Sequence, residues 1–147
     1  MLPLYSSGNG HGPRTTSPED LDRWIRKHGS DVEGGEPNWT FRFEDVNAYC
    51  QCQRDVDRMR IVAPICEVEQ FGEQHEQLLE IMLQANYHSA LDPRYAIDRG
   101  VVMSAYLHPL AAQDEAQFVS GLRQVVEMVR TFGTTFSSTG IVFGGPE

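Results

Sequence analysis

The chain has no stretch approaching the roughly 18 consecutive apolar residues that a membrane-spanning helix requires. It also has no basic run of the kind that attracts a phosphate backbone, and only three cysteines in 147 residues. Each shortage removes a class of function. Without a span, no membrane partner is expected. A net charge of −9 repels nucleic acid, and the densest basic stretch, Arg54 to Arg60, interleaves Asp55 and Asp57 with its arginines. No nucleic-acid partner is expected either. An odd cysteine count closes no disulfide framework, and Met1-Leu-Pro-Leu-Tyr has neither the basic start nor the apolar run of a secretory signal. The expectation is a cytoplasmic protein with reduced thiols.

What is present fits one globular domain. Hydrophobic residues make up 40% and charged residues 22% of the chain, near the globular average, and a chain of this length buries roughly two thirds of its unfolded surface. Residues 1–16 are rich in Gly, Ser, Pro and Thr without apolar periodicity, and read as a flexible arm. Residues 134–147 read as a loosely held tail, which leaves a domain over 17–133.

Within the domain, Ser17 as N-cap, Pro18 at the first helical position and the acids Glu19 and Asp20 open a helix. Leu21, Trp24, Ile25 and His28 carry its apolar spacing, and Gly29 stops it. Ser30 to Asn38, with paired glycines and Pro37, reads as a loop. Three strands follow, joined by short turns: Trp39–Phe43, Asn47–Gln53 and Met59–Val68, with Pro64 forcing an edge position or a bulge in the third. The period then lengthens to 3.6 between Glu73 and Tyr87, with Leu78, Leu79, Met82, Leu83 and Asn86 on one stripe. Asp98-Arg99-Gly100 turns a hairpin between Tyr95–Ile97 and Val101–Leu107. Acids at Asp114 and Glu115 open a last helix whose stripe is Phe118, Leu122, Val125, Val126, Val129 and Phe132, stopped at Gly133. The reading is α+β, a single antiparallel five-stranded sheet with three helices in the order α-β-β-β-α-β-β-α.

Reactive side chains are few and poorly spaced. Cys50 and Cys52 lie two apart on a strand with Cys66 as a third thiol, short of the four ligands and the knuckle spacing of a structural zinc site. Glu73-Gln74-His75-Glu76 lacks the second histidine that a metalloprotease helix carries, because position 79 is Leu. Asp55 with Asp57 and Asp114 with Glu115 sit in a turn and at a helix start, where solvation and the helix dipole account for them. The glycine clusters at 8–12 and 144–145 neither follow a strand nor open a helix, as a phosphate loop does. The sequon Asn38-Trp39-Thr40 has no route to glycosylation without secretion. No cofactor, metal or catalytic residue is assigned. The enzyme alternative reduces to His108 with one of the cysteines.

More telling is a second apolar set. Tyr49, Val62, Tyr95, Val102 and Tyr106 fall out of phase with the core positions of their strands. A sheet covered on one face would expose them to a partner, and the competing reading has the last helix covering them within one chain.

The run Leu78 to Asn86 (Leu-Leu-Glu-Ile-Met-Leu-Gln-Ala-Asn), then Tyr95 to Gly100, then Val101 to Leu110 ending in Pro-Leu, then an acid-initiated amphipathic helix, resembles the type III secretion chaperone-like fold shared with YbjN-type proteins. The resemblance implies a small acidic protein without catalytic residues, commonly a homodimer, that holds a client segment or acts as a regulator through protein contacts. On that basis Tyr106, Phe118, Leu122, Val126 and Val129 are nominated as the partner or dimer interface. The alternative function is a small-molecule-sensing regulatory domain, with Trp39, Phe41 and Tyr95 lining a pocket between sheet and helix.

Overall fold

A computed structural model describes residues 15–132 of the chain. The first helix, α1 (Pro18–His28), begins with a reciprocal cap. The Ser17 hydroxyl accepts from the Asp20 N–H, while the Ser17 N–H donates to the Asp20 carboxylate at 2.9 Å. These bonds favour the ionised acid. The Ser17 amide, ahead of the opposing effect of burial, holds the Asp20 carboxyl below its usual range. Gly29 ends the helix for a reason other than the expected left-handed turn. Its backbone is extended, and a Cβ there would lie 2.8 Å from the Phe41 ring. The glycine is needed for close approach of helix and sheet.

Six strands follow, one more than the sequence suggests: β1 (Ser30–Gly35), β2 (Asn38–Phe43), β3 (Val46–Gln53), β4 (Arg58–Glu67), β5 (Arg94–Asp98) and β6 (Val101–His108). All neighbours are antiparallel, in the order β1-β2-β3-β4-β6-β5. The element order is therefore α-β-β-β-β-α-β-β-α, correcting the expected five-stranded sheet. The added strand, β1, occupies the segment expected to be a loop. Val32 is its only apolar side chain, its register slips between Ser30 and Glu33, and Asp31 and Gly34 take positive φ. It is a strand because its backbone pairs with β2 at the sheet edge, which leaves no alternation to read.

Pro64 sits where its missing N–H costs least. Pairing of β3 to β4 runs only to Val62, and a register shift on the β6 side falls between Pro64 and Cys66. Both expected consequences of this proline are realised. Beyond β4, a 3₁₀ segment (Val68–Gln74) leads into α2 (His75–His88), and the hairpin β5–β6 turns through Arg99 and Gly100, both with φ > 0. The last helix, α3 (Glu115–Thr131), carries a second reciprocal cap, between Asp114 and Gln117.

All three helices lie on one face of the sheet. Under α1 and α3, the face holds Trp39, Phe41, Ala48, Cys50, Cys52, Met59, Ile61 and Tyr106, packed with Leu21, Ile25, Phe118, Leu122, Val125 and Val126. Trp24 and Phe118 join the two helices with ring centroids 5.6 Å apart. Three polar contacts hold the layers together. The Trp39 indole N–H donates to Asp22 at 2.9 Å, and Glu115 on α3 pairs with His28 at 2.7 Å and Lys27 at 2.9 Å at the end of α1. The sheet's other end packs Tyr95 and Val102 under Phe71, Leu78, Met82 and Ala85. Asn86 ties α2 to β5 through both backbone groups of Tyr95.

Gly121 sets the height of α3 above the sheet. A Cβ there would come within 2.7 Å of the Tyr106 ring. The helix therefore rests on the tyrosine, whose hydroxyl accepts from the buried Gln113 amide at 3.1 Å. Among the described residues no buried side-chain nitrogen or oxygen lacks a partner.

Candidate protein-binding surface

Antiparallel pairing puts opposed residues on the same side of the sheet, so the strand registers define its uncovered face. One row across the middle reads Thr40, Tyr49, Val62, Ala105 and Arg94. A second reads Asn38, Gln51, Arg60 and Leu107, and a third reads Pro64, Met103 and Ala96. Tyr49 is 41% and Leu107 59% exposed, while Val62, Pro64 and Met103 are half-buried by their sheet neighbours alone. The centre of this face is apolar, and none of the helices among the described residues covers it. A contiguous exposed apolar patch marks a contact site far better than scattered residues do.

The five out-of-phase residues divide between the two sides. Tyr49 and Val62 lie on the open face, as a partner surface requires. Tyr95, Val102 and Tyr106 are buried, because Val102, Ser104 and Tyr106 alternate onto the side that Ile61 and Tyr95 share by pairing. The last helix covers Tyr106, as the competing reading has it, while Tyr95 and Val102 pack chiefly under α2.

The nominated interface needs correcting for the same reason. Phe118, Leu122 and Val126 have no exposed surface, Tyr106 is buried, and Val129 is packed against the same core. These side chains fasten α3 to the sheet, so they cannot meet a second molecule while the helix is in place. In their stead a stripe on α2 is exposed. Leu83 is 70% and Tyr87 85% exposed, four residues apart on one helix face, and Leu91 just beyond the helix is 71% exposed. Leu83 was expected in the buried stripe. The structure uses Leu78, Met82 and Ala85 there, leaving this helix more apolar than one buried side demands.

The pocket expected from Trp39, Phe41 and Tyr95 does not form. The first two sit on β2 and the third on β5, four strand spacings or on the order of 19 Å apart, in separate core clusters. Tyr95 does line a groove of about 210 Å³ with Leu91, Pro93 and Met128, below the roughly 300 Å³ at which small-molecule sites begin.

The cysteine–histidine pair is not assembled either. Cys52 and His108 both flank Met59, two strand spacings or about 10 Å apart, and the His108 ring is already bonded to the Pro109 carbonyl at 2.8 Å. Burial pushes all three thiols up, with the charge of Glu36 adding at Cys52 and that of Glu67 at Cys66. A thiol raised in this way is a poor nucleophile. No helix among the described residues is long and apolar enough to cross a membrane.

Solved structures give this arrangement a context. The chain matches the HopA1–SchA chaperone–effector complex with a TM-score of 0.58 at 13% identity, over 76% of this chain and 88% of that one. It matches the ExsC–ExsE complex with a TM-score of 0.56 at 12% identity, over 88% and 99%. It matches the Yersinia pestis type III secretion chaperone SycH, solved with a stable fragment of YscM2, with a TM-score of 0.57 at 13% identity, over 78% and 97%. No family sequence profile and no curated protein matches the chain. At such identities the likeness is one of architecture, and it agrees with the resemblance in the sequence. The chain has the fold of the type III secretion chaperones.

Proposed function

We propose that this chain is a non-catalytic protein-binding module that holds an extended client segment on the open face of its sheet, or acts as a regulator through the same contacts. The observation that carries this reading is the apolar outer face: Tyr49 and Val62 pair across β3 and β4, Met103 and Leu107 flank the Val62 partner Ala105 on β6, and no helix of the described residues lies above them. The fold supports it, since the matching architectures were solved together with protein partners. The missing cysteine–histidine pair removes the one catalytic arrangement the sequence offered. A YbjN-type regulator is the same reading with a different client, and free thiols suit a cytoplasmic setting.

We further propose that the working form is a homodimer whose second copy covers the α2 stripe of Leu83, Tyr87 and Leu91. Light scattering coupled to size-exclusion chromatography should give a mass near twice the chain's 16.6 kDa, and Leu83→Asp with Tyr87→Asp should return it to a monomer. A monomer at all concentrations would contradict the dimer and leave the open face as the contact site. For the client, overlapping peptides from proteins encoded beside this chain should include a saturable binder whose affinity drops at least about tenfold, or about 1.4 kcal/mol, in Leu107→Asp. Absence of any binder, or binding indifferent to Leu107→Asp, would contradict the proposed site.

A further inference from the structure

The open face is charged in a way the chain as a whole is not. The protein carries −9, yet Arg58 and Arg60 stand on this face at one end of the apolar patch. Neither has a carboxylate partner among the described residues. Among the described residues the Arg58 side chain donates to the neighbouring Asp57 carbonyl at 2.9 Å, and the Arg60 side chain makes no ion pair. The acids that interleave with them in sequence do not neutralise them in space. The Asp57 carboxylate is taken by the Ala111 N–H at 2.8 Å, and Arg54 turns away to Glu36 and Glu19. Arg23, Arg26, Lys27 and Arg130 are paired with acids, whereas Arg94, on the β5 side of the same face, is held by the Leu91 and Pro93 carbonyls.

Arg58 and Arg60 line a groove of about 320 Å³ together with Asn38, Gln51, Gln53 and Leu107. At the opposite end of the same face, Glu67 and Asp98 both pair in register with Val101, about 23 Å along β4 from Arg60. The face therefore carries Arg58 and Arg60 at one end, an apolar centre with Arg94 on its β5 margin, and the acids Glu67 and Asp98 at the other end beside the Arg99 turn.

We infer that this face selects, and orients, a partner segment in which apolar residues are continued on one side by carboxylates, the carboxylates seating on Arg58 and Arg60 and the apolar residues over Val62 and Met103. The inference rests on the protein-binding reading above and adds the chemistry of the client. A guanidinium presents a planar fork that matches a carboxylate. The net charge of −9 disfavours acidic partners in general, so an acidic segment needs local cations such as Arg58 and Arg60, and the acids at Glu67 and Asp98 repel a segment docked the other way round.

The test uses the full chain and two labelled synthetic peptides, Leu-Ser-Val-Ser-Ile followed by three glutamates and the same peptide ending in three lysines. Fluorescence polarisation in about 50 mM salt should show the glutamate peptide binding at least about tenfold more tightly, with the preference shrinking as salt is raised. Arg58→Glu with Arg60→Glu, checked by circular dichroism for an unchanged fold, should reverse the preference. Equal binding of the two peptides, or a preference that survives the double substitution, would overturn the acid selection and leave the protein-binding reading standing. Binding of neither would overturn both. A single-stranded oligonucleotide that displaces the glutamate peptide at lower concentration than unlabelled peptide would overturn the partner class. A dimer broken by the same double substitution would make the occupant a second copy of this chain, and would overturn it too.

Discussion

The two faces of the sheet are built from the same strands and alternate residue by residue, yet they have opposite chemistry. Along β4, Met59, Ile61 and Ala63 are closed off under α1 and α3, while Arg58, Arg60 and Val62 between them look outward. On the covered face the packing is tight enough that position 121 admits only a hydrogen above the Tyr106 ring. On the open face the apolar side chains have no helix of the described residues packed over them. A monomer that needed only stability would place polar residues at all the outward positions of an antiparallel sheet. Tyr49, Val62, Met103 and Leu107 stand there instead, which is the surplus the proposed protein-binding role accounts for.

Substitutions should separate the two faces by their consequences. The largest effect is expected on the covered side, where Phe118→Ala leaves a cavity against Trp24 and should cost about 3–5 kcal/mol in chemical denaturation. A cost near zero would mean that α3 is not fastened as described. Gly121→Val forces the helix off Tyr106 and should cost about 1–3 kcal/mol or more, and Tyr106→Leu in the same chain should recover part of it. If the two losses simply add, the contact is not the cause. On the open side, Leu107→Asp should change stability by no more than about 1 kcal/mol while weakening client binding. A large loss of stability there would erase the distinction between the faces.

The smallest effect concerns α1. The Asp20 carboxyl is held below its ordinary value near 3.8, so its contribution to stability is present above that value and is lost as the pH falls through the lower folded one. The stability gap between wild type and Asp20→Asn should therefore be full at pH 6 and narrow below about pH 4. A constant gap would assign it to lost geometry alone.

Much of the fold is legible in the chain, and the reasons it stops are physical. Ser17 with Asp20 and Asp114 with Glu115 mark helix starts because capping is a local event, and Asp98-Arg99-Gly100 marks a hairpin because its turn needs positive φ. β1 is silent because it is held by backbone pairing at an edge, and its sequence keeps no period. The candidate site is legible only as a surplus. The out-of-phase apolar residues show that a second face exists, but which of them stay exposed depends on strand register and on how far the helices reach. The nominated residues of α3 fail for that reason, since an apolar stripe at helical spacing is interior more often than interface. Arg58 and Arg60 are hidden by sequence neighbours that turn away in space.

The central claim, that the open face and not the helical side receives the partner, is tested most directly by methyl NMR of the full chain during titration with a binding peptide. The Val62, Met103 and Leu107 methyl signals should shift and become shielded from a soluble paramagnetic probe, while those of Leu122 and Val126 keep their positions. Shifts confined to Leu83 and Leu91 on the α2 side, with Val62 and Leu107 unmoved, would contradict it.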